Sequence, residues 1–412
     1  MVSFEYTNED IDFLLSPKAI RERTSKLYNR ALSGEGYFEL DESKIEETAM
    51  FVMEVIQDNY PDLDIPFHSR WGHFNVGGHH RVAALNDKII SLDKLEKARL
   101  KLDLVISSVL LDAGAGMGWR YNEEPSSGIG GGEYSRSEGL AIASLDMFNA
   151  GLFSSEDSPY RVDGEKLLSL TTDDLVKGFQ VTDSNPIIGL EGRLSLLKSL
   201  GKTLVENKEF FKDARPGNIL DYLIDKHGMK FKAEDLLKAV LLGLGPIWPG
   251  RIHLGKVNLG DVWHHSALGS SESLDSLVAF HKLSQWLTYS MVEPILEAEV
   301  DVWGAEELTG LAEYRNGGLF LDKEVIKLKD PELLKVEHEP GSELIIEWRA
   351  LTVQLLDRVG THVQKALGKK PFEFPLAKVL EGGTWWAGRR TAKELRQDGG
   401  PPLNLKSDGT VF

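Results

Sequence analysis

The sequence predicts a mainly α-helical fold with a few short strands. Three observations carry that expectation. Several stretches repeat apolar residues at the three-to-four spacing of a helix face. Serine, asparagine and glycine stand where helix caps belong. Strand-like segments are few and short and never alternate regularly with helices, which argues against a doubly wound parallel sheet.

Residues 43–58 (SKIEETAMFVMEVIQD) place Ile45, Met50, Val52, Val55 and Ile56 on one stripe. Residues 92–112 repeat the signal and stop at Gly114. Ser135 and Glu138 have capping-box spacing before LAIASLDMFNA, and Gly151 is a C-terminal stop. Asn185-Pro186 reads as an N-cap followed by proline at the first helical position, opening IIGLEGRLSLLKSL. Further helices are expected over 234–244, 274–299 and 343–366, and strands near 65–71, 252–258 and 319–328. The expected organisation is one large helical catalytic unit over 1–397, in two lobes with a cleft, followed by a turn-rich, loosely ordered tail over 398–412.

Composition narrows the function. The 412 residues contain no cysteine, so disulfides and thiolate zinc sites are impossible. The acidic N-terminus, MVSFEYTNEDIDFLL, is unlike a secretory signal, and no apolar run approaches the roughly 20 residues that span a bilayer. A cytoplasmic protein without membrane contact is the expectation. The net charge of −17 repels phosphate backbones and argues against nucleic acid as a partner. A small phosphorylated ligand remains compatible, because one local Lys or Arg can hold it.

Three motifs are discounted. The glycines of Gly114-Ala-Gly116-Met-Gly118 read as a turn, and those of Gly128-Ile-Gly130-Gly131-Gly132 as a mobile loop; neither has phosphate-loop spacing. His68, His73, His79 and His80, and the pair His264-His265, lack a zinc spacing such as H-E-x-x-H, so no metal and no cofactor is expected. No G-x-S-x-G elbow is present.

Many of the nine tryptophans lie in glycine-rich or charged blocks such as HSRWGHFNVGGHHR and EGGTWWAGRR. Such blocks suit a planar polar ligand or serve as packing corners. In SLDSLVAFHKLSQWLTYSMVEPI, Lys282, Trp286 and Tyr289 share one helix face. The lysine is either an anion anchor or one half of a structural cation–π contact. The stretch EELTGLAEYRNGGLF, residues 306–320, carries Glu313, Tyr314 and Arg315 before a double glycine read as flexible. Its carboxylate is read as aimed at a ligand.

Together, "HSRWGHFNVGG", "LDAGAGMGWRY", "SRSEGLAIASLDMF", "GFQVTDSNPIIGLEGR", "LGPIWPGRIHLGKVNLGDVW", "FHKLSQWLTYSMVEPI", "LTGLAEYRNGGLFLD" and "LAKVLEGGTWWAGRR" resemble the uracil catabolism protein 4 family, in order from about residue 60 to about 392. The resemblance implies a uracil-degradation route through the ribonucleotide, with ribosylurea-type intermediates. The family's first block reads closer to H-S-R-W-R-H-F, where this chain has Gly72, and His79-His80 replace a later acid. A more distant resemblance, in FHKLSQ, LTGLAEYRNGG and LIIEWRA, is to the queuosine salvage proteins, which cleave a base from a nucleoside 5′-phosphate. It implies a helical fold similar to helix–hairpin–helix DNA glycosylases. It also implies that Glu313 takes the acid position at the sugar and Lys282 the phosphate position.

The expected chemistry follows. Breaking a C1′–N bond builds positive charge on ribose, which a buried carboxylate stabilises. Glu313 is the first candidate for that carboxylate, oriented by Arg315 or Tyr314. Asp261 of LGDVW is the second, or a ribose-hydroxyl partner. Lys282 would hold the phosphate, and Trp286 or Trp263 would flank the leaving group. His281 and Asp183 complete the substrate-binding candidates, although an N-cap role would also explain Asp183. The expected function is an N-ribosyl hydrolase of pyrimidine breakdown acting on a phosphorylated ribosyl substrate. The alternatives are a ureido C–N hydrolase, which would want an activated water, and a non-catalytic nucleotide-derivative binder.

Overall fold

The structure is a computed structural model that describes residues 4–112, 114–125, 129–248 and 250–406. Gly128 of the second glycine motif and the last six residues of the tail lie outside the described residues. The fold is mainly α, and among the described residues the strands are short and form only two-stranded sheets. The chain separates into two discontinuous units, one of residues 1–68, 250–285 and 304–412, the other of residues 69–249 and 286–303.

The first unit is organised by the long helix Glu343–Leu367, which packs against the helices Pro17–Leu32, Ile45–Asn59 and Tyr314–Asp322. The N-terminal helices were not anticipated, yet their caps are legible. Ser16 accepts the Ala19 N–H, and Pro17 opens the helix where no donor is needed. In the helix Ile45–Asn59, Val52, Val55 and Ile56 are buried as expected, but Met50 is 59% exposed. The true stripe runs Ile45, Ala49, Val52, Ile56, a three-to-four rhythm that Met50 misses by one position.

Two short antiparallel pairs complete this unit's frame. Phe38–Leu40 faces Ile326–Leu328, with Glu39 opposite Lys327. Val262–His264 faces Leu277–Ala279, with Trp263 opposite Val278. The expected strand at 319–328 is therefore helix up to Asp322 and strand only from Ile326, and the expected helix from 274 begins at Lys282. The strand near 252–258 is the hairpin His253–Leu254 with Val257–Asn258. The end of the described chain is docked rather than loose: Leu403 is fully buried, and Asn404–Leu405 pairs with Glu337–His338.

The second unit packs Lys94–Leu110 against Arg136–Asn149, and Gly164–Ser169 against Leu190–Glu206. The latter contact needs glycine, since a Cβ on Gly201 would sit 2.8 Å from the Gly164 carbonyl oxygen. Residues 65–71 are not a strand, because Arg70–Phe74 is a short helix. Asn185 is not a helix N-cap either. Its amide accepts from the Arg120 N–H and donates to the carbonyls of Arg120 and Gln180, and the helix starts at Leu190 after a left-handed Gly189. Glu123 accepts both the Arg81 fork and the Gly131 N–H, holding the strand pair Tyr121–Glu123 and Gly132–Tyr134.

Candidate functional site

The hairpin of the first unit delivers the site. Asp261 immediately precedes one strand and Phe280–Lys282 follow the other, so strand pairing brings them together: the Phe280 N–H donates to the Asp261 carbonyl at 3.0 Å. The turn at His281 requires a left-handed backbone, φ 50°, uncommon for a residue with a Cβ. Its ring Nε2 pairs with the Leu14 carbonyl at 2.8 Å, anchoring the turn to the N-terminal segment. The helix Lys282–Glu297 starts there; from Trp286 on, its residues belong to the second unit.

Asp261 is held on every side. The Arg349 fork donates to its two oxygens at 2.8 and 2.7 Å, the Trp263 indole N–H at 2.7 Å and the Lys282 backbone N–H at 3.0 Å. Burial opposes its charge, but Arg349 prevails and holds the carboxyl well below the usual range. The same guanidinium donates through Nε to the Ala312 carbonyl and lies over the Phe280 ring. Arg349 thereby ties Asp261 to the residue before Glu313. Gln285 makes a second tie: its amide exchanges hydrogen bonds with the backbone and hydroxyl of Thr309.

Glu313 is the N-cap of the helix Tyr314–Asp322, accepting the Arg315 and Asn316 N–H groups at 2.7 and 2.6 Å. Its position at the positive end of a helix favours the charged form. Burial is the larger influence and pushes its pKa up, against those two amides and the charges of Lys282 and Arg315. The Lys282 ammonium is thus near enough to act on this carboxylate. The Arg315 guanidinium turns away to the Gly399 carbonyl, so Arg315 orients Glu313 through its backbone and not its side chain. Tyr314 is half-buried, with the Arg315 guanidinium over its ring.

The double glycine is packed, not flexible. A Cβ on Gly317 would sit 2.8 Å from Thr352 Oγ1 and from the Trp348 ring, and Trp348 donates its indole N–H to the Gly317 carbonyl. Gly388 lets the helix Trp385–Leu395 approach the Arg315 carbonyl as closely.

The remaining candidates lie elsewhere. Asp183 is exposed in the turn closed by Thr182 and Asn185, in the second unit. Trp286 is buried there, tilted on His73 and under the Arg70 guanidinium. Arg70 is completely buried and bound to Asp112, Ser108 and Ser137, which accounts for the arginine of HSRW. The histidines divide: His68 bonds Glu381 in the first unit, and His73 belongs to the second. Among the described residues no group of three or more His, Asp or Glu side chains is arranged to hold a metal, and no helix is long and apolar enough to cross a membrane.

Arg349, Gln285, Thr309 and Asn316 were not singled out from the sequence. Arg349 sits in LIIEWRA, where a lone arginine in an apolar run signals a buried ion pair.

A helical fold with a desolvated, lysine-neighboured carboxylate beside a buried Asp–Arg fork defines a protein with a built acid–base cluster in its first unit. The chain belongs to the family described as "Protein of unknown function (DUF1688)", matched over residues 13–412, which is the family of uracil catabolism protein 4. It is 42% identical to Protein urg3 of Schizosaccharomyces pombe, over 98% of this chain and 100% of that protein. It is 36% identical to Uracil catabolism protein 4 of Lachancea kluyveri, over 98% of this chain and 99% of that protein.

Proposed function

We propose that the protein acts in uracil catabolism as an N-ribosyl hydrolase, cleaving the C1′–N bond of a ribosylurea-like 5′-phosphate. The name of the Lachancea kluyveri relative supports the pathway. The observation that carries the reaction is the buried Glu313 carboxylate capping the helix Tyr314–Asp322, with the Lys282 charge of the same unit among the influences that act on it. An amine beside a desolvated carboxylate matches the two ends of a phosphorylated ribose: an anion to anchor and a developing cation to stabilise. Each Glu313 oxygen spends one lone pair on a backbone amide and keeps another for water or for the charge at C1′. Asp261, saturated by four donors, is the positioning group: it fixes the Lys282 backbone and Arg349. The likeness to queuosine salvage proteins, and through them to DNA glycosylases, agrees with this reading as analogy.

One observation favours a second reading. Glu313 already serves as a helix cap, so a non-catalytic binder of nucleotide derivatives would need no other use for it. Urea release from ribosylurea 5′-phosphate separates the two. Glu313→Gln should lower kcat about 10³-fold, roughly 4 kcal/mol of barrier, with affinity for ribose 5-phosphate retained. Lys282→Met should weaken that affinity instead. Tight binding by the wild type with no urea released decides for the binder.

A further inference from the structure

The first unit holds another acid–base pair that this reading does not use. His68 Nδ1 lies 2.7 Å from Glu381 Oε2, with the two side chains 8% and 16% exposed. The Tyr60 hydroxyl donates to the other Glu381 oxygen at 3.4 Å, and burial together with that carboxylate pushes the phenol up to about 12. Nδ1 is the ring nitrogen turned to Glu381, so Nε2 is the one directed away from that carboxylate. A carboxylate bonded to one ring nitrogen in this way fixes the orientation of the imidazole.

The backbone around Glu381 is unusual. Leu380–Thr384 is a π-helical turn, a rare form that occurs mostly as single turns and is frequent at functional sites. Gly383 is pressed onto the helix Ile45–Asn59, where a Cβ would sit 2.6 Å from Val52, and Gly382 onto Ile65, 2.7 Å from a Cβ placed there. Thr384, closing the turn, donates to the Asn316 side-chain oxygen at 2.8 Å, and the Asn316 N–H is one of the two donors on Glu313. One hydrogen-bonded path therefore joins the π-turn that carries Glu381 to the carboxylate at the helix cap. The imidazole also faces the Trp385 ring, 6.2 Å away, with the Arg389 guanidinium beyond it.

We propose that His68, oriented by Glu381, donates the proton to the leaving nitrogen; this rests on the N-ribosyl cleavage proposed above. The C1′–N electron pair goes to nitrogen, which takes the proton from imidazolium Nε2. Water adds to C1′ and gives its proton to the Glu313 carboxylate. The carboxylic acid and the neutral imidazole then return to their starting forms by exchange with solvent. The sum is substrate plus water giving ribose 5-phosphate and urea.

The test varies the leaving group. kcat is measured from about pH 5 to 9 on ribosylurea 5′-phosphate and on nitrophenyl riboside 5′-phosphate, whose phenolate departs without a proton. His68→Gln should lose about 10²- to 10³-fold on the urea substrate and less than about 3-fold on the nitrophenyl one. It should also lose the alkaline limb of the urea pH profile. Glu381→Gln should lose about 10-fold with the same selectivity, and it carries the test if His68→Gln does not fold. Equal losses on both substrates, no loss, or an unchanged alkaline limb overturns the role of His68 alone. A wild type inert on both substrates overturns the N-ribosyl reading, and the role of His68 with it.

Discussion

Asp261 and Glu313 belong to the same unit and touch the same arginine-bridged backbone, yet their environments oppose each other. Asp261 has a full guanidinium fork and two further donors, and its carboxyl is held far down. Glu313 has two backbone amides and a neighbouring amine, and burial holds its carboxyl up. The first acid is locked as an anion. The second is pushed toward its protonated form. Surroundings that push two acids apart are the pattern by which sites separate acid–base roles, and the proposed reaction assigns the chemical role to Glu313.

The largest effect should come from breaking the locked pair. Arg349→Met strands the Asp261 charge and should cost about 4 kcal/mol in urea unfolding. Adding Asp261→Asn should recover part of it, and a purely additive double mutant would show that the two do not act as a pair. Next, the two acids should respond oppositely to neutralisation at neutral pH. Asp261 has a folded pKa below its unfolded value, so its stabilisation is present above about pH 4 and is lost as pH falls. Asp261→Asn should therefore be strongly destabilising at pH 7. Glu313 has a raised folded pKa, so its contribution is present below about pH 4.5 and is lost as pH rises. Glu313→Gln should then hold stability within about 1 kcal/mol, or raise it, while turnover collapses. Equal destabilisation by both would erase the distinction.

Smaller effects sharpen it. Gly317→Ala drives a methyl into Thr352 and Trp348 and should cost about 1–3 kcal/mol, with turnover falling because the helix bearing Glu313 must shift. Glu347 offers a further desolvated acid in the same unit. Burial lifts its pKa to about 7 against the Tyr37 and Phe38 amides. Stability should decline between about pH 4.5 and 7, and Glu347→Gln should flatten that slope in unfolding titrations.

Much of this was legible beforehand, unevenly. The helices with clean apolar rhythm, such as Lys94–Leu110 and Glu343–Leu367, were read within a few residues. The errors have local causes. Asn185-Pro186 looks like a helix start because cap residues also make turns, and only Arg120 and Gln180 show which use applies. The double glycine looks flexible until Trp348 fills the space that it leaves. Lys282 and Glu313 were legible as residue types in suggestive blocks. Arg349 was not, since a guanidinium 88 positions from its carboxylate leaves no trace in spacing.

What the sequence alone determined is the helical class, the absence of thiol chemistry and the set of polar residues inside apolar or aromatic blocks, because periodicity and composition are local properties. Which acid is locked as an anion and which is pushed toward its protonated form was decided by the tertiary structure. A carboxyl's proton affinity depends on the charges and the water within a few ångströms, and here those neighbours come from a hairpin, two helices and a distant arginine that only folding assembles.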